Sequence, residues 1–165
     1  MIRFNSSTFI GNELKYIQEA MDSDHLSGDG SFTMRCNDLF ESTLKIKKSF
    51  MTTSCTHALE MSALLLDIQP GDEVIVPSFT FVSTINAFVL RGAIPVFVDI
   101  RKDTLNIDEN LIESHITNST KAIVVVHYAG VACEMDRIME ISEKYKVPII
   151  EDNAHGLFSK YNDQY

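Results

Sequence analysis

Ala122-Ile123-Val124-Val125-Val126, followed by His127-Tyr128-Ala129-Gly130 and, further on, by Val147-Pro148-Ile149-Ile150-Glu151-Asp152, is the stretch whose reading decides the fold. The first five residues are apolar and mostly β-branched, the composition of a strand buried on both faces. Between the two apolar runs, Met135, Ile138, Met139 and Ser142 recur at helical spacing and mark one face of an amphipathic helix. Residues 147–150 read as the second strand. A strand, a helix of about ten residues and another strand form a βαβ unit, which requires parallel strands. Pro148 fits poorly, because proline donates nothing to a strand ladder and usually sits at strand ends or edges.

The same alternation extends upstream. Residues 49–53 read as a short strand. Residues 58–66 are apolar nearly all round and so read as a buried helix. Pro70-Gly71-Asp72 is a turn, residues 73–76 a strand, 81–91 a helix and 95–98 a strand. Asn106-Ile107-Asp108 has the composition of a helix cap before a short helix at 109–115. Two helices open the chain. Ile10, Leu14, Ile17 and Met21 share one face of the first, and the second runs over 33–44. The polar loop Ser27-Gly28-Asp29-Gly30-Ser31 separates them. The predicted class is α/β, with three α/β/α layers around a largely parallel sheet. Open sheets of this kind bind ligands beyond the carboxyl ends of their strands.

Composition removes several function classes. Of 165 residues, 45% are hydrophobic and 22% charged, as in an ordinary globular domain. The net charge is −9, and the lysines and arginines are scattered apart from Lys45, Lys47 and Lys48. A nucleic-acid partner normally requires a basic face, so none is expected. Any anion must be held by local donors. Cys36, Cys55 and Cys133 are odd in number and far apart, which is neither a disulfide framework nor a zinc site. No apolar run approaches the roughly 20 residues of a membrane span. The opening MIRFNSSTFI lacks a signal peptide's apolar core, so a cytoplasmic location is expected.

Four segments carry candidate chemistry. Thr52-Thr53-Ser54-Cys55-Thr56-His57 precedes a helix, and free N–H groups there with the helix dipole form an anion site. The same residues also read as a plain N-cap. Glu151-Asp152-Asn153-Ala154-His155 follows the last strand. Asp152 at its carboxyl end can bind a ribose, a metal or a protonated ring nitrogen, or can cap a helix. Asp152 and His155 alone are too few ligands to argue a metal, and none is expected. Phe79 and Phe81 in Pro77-Ser78-Phe79-Thr80-Phe81 either stack on a flat ligand or belong to the core. His127 reads as a structural histidine. No Walker loop, nucleophile elbow or strand-linked Gly-x-Gly-x-x-Gly is present.

In order, Ser54-Cys55-Thr56, Pro77-Ser78-Phe79-Thr80-Phe81, His127-Tyr128-Ala129-Gly130 and Glu151-Asp152 resemble the DegT/DnrJ/EryC1/StrS sugar aminotransferases, from about Phe4 to Tyr161. The resemblance implies the large domain of a fold type I transferase dependent on pyridoxal 5′-phosphate. It implies amino-group transfer from glutamate to a dTDP-linked 4-keto-6-deoxy nucleotide sugar for surface-polysaccharide synthesis, by a homodimer. It assigns the cofactor phosphate to the turn at Thr56 and His57 and ring stacking to Phe81. Asp152 falls to the ring nitrogen and His155 to the neighbourhood of the ring hydroxyl. Nucleotide-sugar contacts are expected around the loop 28–31. The family's Schiff-base lysine lies roughly thirty residues beyond the position of Asp152, and Lys160 matches no lysine motif. Residues 1–165 are therefore expected to be the N-terminal part of that large domain, without its later strands, its small C-terminal domain or a catalytic lysine. Such a chain is expected to be inactive alone. The other reading is a non-catalytic remnant or binding fragment of the same fold.

Overall fold

A computed structural model describes residues 7–165; Phe4, where the resemblance begins, lies outside them. The chain divides into two compact units, ending and starting at Met51 and Thr52. In the first unit, α1 spans Glu13–Asp22 and α2 spans Ser31–Leu44. Ile10 precedes α1 and is not part of its face. Tyr16 meets Phe32 edge-on with centroids 5.7 Å apart, and the Arg35 guanidinium lies 4.8 Å from the Phe32 ring centre. The loop 28–31 is shaped by Asp29, whose φ of 60° is left-handed, and by His25, whose Nε2 lies 3.1 Å from the Gly28 carbonyl oxygen. Gly30 then caps α2.

The second unit begins with α3, Cys55–Leu65, and continues with β1, Glu73–Pro77, α4, Val82–Val89, and β2, Ile94–Val98. After β2 come α5, Glu109–Ile112, with a 3₁₀ turn at Glu113–His115, then β3, Thr120–Val126, α6, Met135–Tyr145, and β4, Ile149–Asp152. All pairings are parallel, and the strand order is β2-β1-β3-β4. Alternate residues divide the strands between two cores. Val74, Val76, Ala122 and Val124 pack with Leu59 and Ala63 of α3 and with Phe88 of α4. Ile75, Ile123 and Val125 pack with Ile112 of α5 and with Ile138 and Ile141 of α6. The sheet is thus the middle of three layers, as expected. The β1–β2 crossover runs to one edge with α4 on the first face. The β3–β4 crossover runs to the other edge with α6 on the second. Reversing direction and face together keeps both crossovers of one hand.

Several details differ from the sequence reading. Residues 49–53 form no strand, since none of the described residues pairs with them as a ladder. α3 is not buried all round: Leu59 and Ala63 are inside, while Leu65 is 74% exposed. A helix on one face of a sheet buries only one stripe, whatever its composition. In α6 the inward stripe is Ile138 and Ile141, and Met139 is half exposed. Pro148 precedes β4, where its carbonyl accepts from the Ile123 N–H at 3.0 Å, so its missing donor costs the ladder nothing. Asp108 caps α5 as read, its carboxylate accepting from the Asn110 N–H at 3.0 Å. No described helix is long and apolar enough to cross a membrane.

Candidate functional site

The strand order reverses between β1 and β3, so the loops that leave their carboxyl ends diverge and open a crevice. A cavity of about 230 Å³ lies there. Thr56 at the start of α3, Phe81 at the start of α4, Tyr128 after β3, and Asp152 and His155 at and after the end of β4 all line it. Cys55, Thr80 and Ser83 complete its polar wall.

Asp152 is the best-supported group in this wall. It is 6% exposed, and each carboxylate oxygen has donors. Thr84 Oγ donates to Oδ2 at 2.7 Å. The Ala154 N–H donates to Oδ1 at 3.2 Å, and the Cys55 thiol lies 3.5 Å from the same oxygen. Among the described residues no lysine or arginine lines the cavity. The carboxylate is therefore held by neutral donors and lacks a positive partner. Burial and the nearby Asp152 charge push the Cys55 thiol up to about 11. Thiolate is the nucleophile, so Cys55 is a poor one at neutral pH and becomes reactive only as pH rises through that value. We expect iodoacetamide at pH 8 to modify Cys55 on the order of 100-fold more slowly than a model thiol of pKa about 8.5. Mass spectrometry of the labelled peptides measures this; equal rates would contradict the described contact with Asp152.

At the head of α3, Ser54 is the N-cap, and its Oγ accepts from the His57 N–H at 3.2 Å. The His57 ring is tied to Thr53 Oγ through Nδ1 and does not line the cavity. The N–H groups of Cys55 and Thr56 have no acceptor among the described residues. They are the free donors of that helix end. The cap and the anion site are thus not exclusive: His57 serves the first, and Cys55 and Thr56 remain open for the second.

His155 is held by the loop that follows β3. The Ala129 N–H donates to His155 Nδ1 at 3.1 Å, so the ring's own proton sits on Nε2 when the ring is neutral. Ala129 reaches this position with a left-handed φ of 53°. Gly130, at φ 81°, passes so close that a Cβ there would lie 3.2 Å from the His155 carbonyl oxygen. Tyr128 packs edge-on against the His155 ring at 5.5 Å and, tilted by 46°, against Phe79 at 4.9 Å. Phe79 is thereby engaged with another side chain, whereas Phe81 is 72% exposed at the cavity. His127 is structural, as read. Its Nδ1 accepts from the Cys133 N–H at 3.1 Å, and its Nε2 lies 2.8 Å from Glu151.

Lys160 lies away from this cavity, with its Nζ 4.8 Å from the Tyr165 ring centre. Among the described residues no three His, Cys, Asp or Glu side chains cluster as metal ligands. The loop 28–31 belongs to the first unit. Thr84 is the residue at this site that the sequence does not point to. Its only local signal is the i, i+4 spacing from Thr80, and its partner Asp152 is 68 residues away.

Residues 8–165 match the DegT/DnrJ/EryC1/StrS aminotransferase family. The chain belongs to this family. Among curated aminotransferases of this kind, the UDP-4-amino-4-deoxy-L-arabinose–oxoglutarate aminotransferase of Shewanella sediminis is 50% identical over 109 residues, covering 66% of this chain and 28% of the enzyme. The crystallographic aminotransferase from Psychrobacter cryohalolentis superposes with a TM-score of 0.88 at 34% identity, covering 93% of this chain and 39% of that one. The E. coli GDP-4-keto-6-deoxy-D-mannose-3-dehydratase with bound hydrated pyridoxal phosphate gives a TM-score of 0.89 at 30% identity, covering 97% and 42%. The fold of this DegT/DnrJ/EryC1/StrS chain is thus that of pyridoxal-phosphate aminotransferases. The chain spans less than half of each of these three relatives.

Proposed function

We propose that the cavity holds pyridoxal 5′-phosphate in the service of amino-group transfer from glutamate to a dTDP-linked 4-keto-6-deoxy nucleotide sugar. The observation that carries this reading is Asp152: a buried carboxylate at a strand's carboxyl end, supplied with neutral donors and facing a cavity that no lysine or arginine lines among the described residues. A protonated ring nitrogen is the partner such a group lacks. The other groups present fit the same molecule. The open N–H groups of Cys55 and Thr56, with the α3 dipole, suit a phosphate. Engaging His57 as well would require its N–H to leave Ser54 Oγ. Phe81 offers an exposed ring face, and the His155 tautomer leaves Nε2–H as a donor for the ring hydroxyl. Once bound, the cofactor supplies an electron sink for the carbon beside the substrate nitrogen. This chain's own residues bind it, orient it and hold a negative charge at its ring nitrogen.

The amino donor and the keto sugar are supported by the relatives' names, which specify oxoglutarate and 4-substituted sugar nucleotides. Those names carry UDP and GDP, so the base is the variable to test. A homodimer, with the loop 28–31 contacting the nucleotide sugar, completes the proposal. Among the described residues the cavity lining contains no lysine, which favours non-covalent retention and a binding role for residues 1–165 by themselves.

The test titrates the 165-residue chain with pyridoxamine 5′-phosphate, which cannot react with surface lysines, followed by calorimetry. Saturable 1:1 binding is expected; its absence would overturn the cofactor site. Borohydride reduction with pyridoxal 5′-phosphate is expected to mark no single lysine. One uniquely modified lysine, with oxoglutarate formed from glutamate and a dTDP- or UDP-linked keto sugar, would overturn the binding-only role.

A further inference from the structure

The hydroxyl pair behind Asp152 has a geometry that the cavity lining alone does not explain. Thr84 is 1% exposed, sits in the first turn of α4 and does not line the cavity. Its Oγ is 2.7 Å from Asp152 Oδ2 and 2.9 Å from Thr80 Oγ. A carboxylate can only accept, so the Thr84 proton must go to Asp152. The Thr84 oxygen then accepts from Thr80, whose side chain lines the cavity. Proton direction is thus fixed along the series Thr80 to Thr84 to Asp152. The Ala154 N–H holds the other carboxylate oxygen.

We propose that Thr84, backed by Thr80, is a positioning residue that sets the carboxylate plane of Asp152 for the cofactor's ring nitrogen. This rests on the reading of Asp152 given above. Two facts argue for positioning over mere packing. The hydroxyl is buried, and with its oxygen already accepting from Thr80 its single proton is given to this carboxylate, a polar arrangement that packing alone does not call for. The bond also spans two elements, tying the start of α4 to the end of β4, so the helix fixes one carboxylate oxygen of Asp152 while the local Ala154 N–H fixes the other. A hydrogen bond to a charged acceptor that is lost in this way costs roughly tenfold to a hundredfold in an equilibrium constant.

The experiment is a double-mutant cycle on pyridoxamine 5′-phosphate affinity in the 165-residue chain, using Thr84→Val, Thr84→Ala, Thr84→Ser, Asp152→Asn and the Asp152→Asn/Thr84→Val pair. The Thr84 reading is taken from whichever hydroxyl-free variant keeps the wild-type far-UV circular dichroism. That variant is expected to bind roughly tenfold more weakly, and Thr84→Ser to restore binding to within about twofold. In the Asp152→Asn background the Thr84→Val effect is expected to shrink below about threefold, because the charge that it orients is gone. Failure of both hydroxyl-free variants to fold, with Thr84→Ser intact and of wild-type affinity, would assign Thr84 to packing and overturn the proposal. So would equal affinity of a folded hydroxyl-free variant and wild type, or full additivity in the cycle. If Asp152→Asn itself leaves affinity unchanged, the cofactor reading of Asp152 fails first, and the two failures are thereby told apart.

Discussion

Asp152→Asn is expected to weaken pyridoxamine 5′-phosphate binding by roughly ten- to a hundredfold while leaving the fold intact. The substitution keeps the shape and removes the charge. A hydrogen bond between two ionised groups contributes about twice as much as a neutral one, and the difference is felt most where water is excluded. The site adds a local reason. Asp152 accepts from Thr84 on one oxygen and from the Ala154 N–H on the other. An amide has one oxygen and one NH₂: turning the NH₂ to Ala154 sets donor against donor, and turning it to Thr84 makes that hydroxyl accept and reverse its bond with Thr80. Calorimetry on the variant, with circular dichroism as a control for folding, measures the effect. An unchanged dissociation constant would remove the carboxylate from the binding account. In the proposed site Phe81 would contribute stacking area only, and its replacement is expected to cost less than loss of the charge.

The largest effect on stability is expected from Phe88→Ala. Phe88 is 1% exposed, on the inner face of α4. It belongs to the core that joins α3 and α4 to Val74, Val76 and Val124 of the sheet. Truncating a buried phenylalanine removes its transfer free energy and leaves a cavity, together about 3–5 kcal/mol. Domains are stable by only about 5–15 kcal/mol, so the variant stands at the edge of unfolding. Urea titration should show a much lower midpoint with an unchanged slope. Leu65→Ala is the internal control: Leu65 is 74% exposed at the end of the adjacent helix, and its loss should stay within about 0.5 kcal/mol. Similar costs for the two would contradict the division of α3 and α4 into inner and outer faces.

Asp152 and Phe88 differ in how openly the amino-acid sequence displays their roles, and the same contrast runs through the fold. The sheet is legible from residues 122–126 and 147–152 because a β-branched run and a helical repeat are local signals that burial reinforces. Pro148 misleads about a boundary alone, since it stands one residue before its strand. Residues 49–53 mislead about an element, because a strand exists only through its partner and sequence does not display partners. Composition makes α3 seem fully buried, yet hydrophobicity counts residues and not faces. In α6, Met139 and Ile141 are both compatible with the repeat that starts at Met135 and Ile138, and only packing chooses Ile141. Within the site, Thr56, Phe81, Asp152 and His155 are legible because each sits near a strand or helix end, in a segment whose composition already suggests chemistry. His57 is legible as part of the turn, but its bond to Ser54 is not. Thr84 is illegible for the opposite reason: nothing within reach of it along the chain explains a hydroxyl there.

The strand order β2-β1-β3-β4 bears on how such a site can diversify. Its walls come from segments leaving four different elements, while the sheet beneath is fixed by two interlocking apolar layers. The loop after β1 is tied to two other walls, by Phe79 against Tyr128 and by Thr80 through Thr84 to Asp152, so a change at Phe79, Thr80 or Thr84 is felt across the site, whereas Phe81 at its rim meets the cavity alone. Rim residues outside these ties can change without moving the sheet, so variation in what such a fold accepts concentrates there and not in the layers beneath.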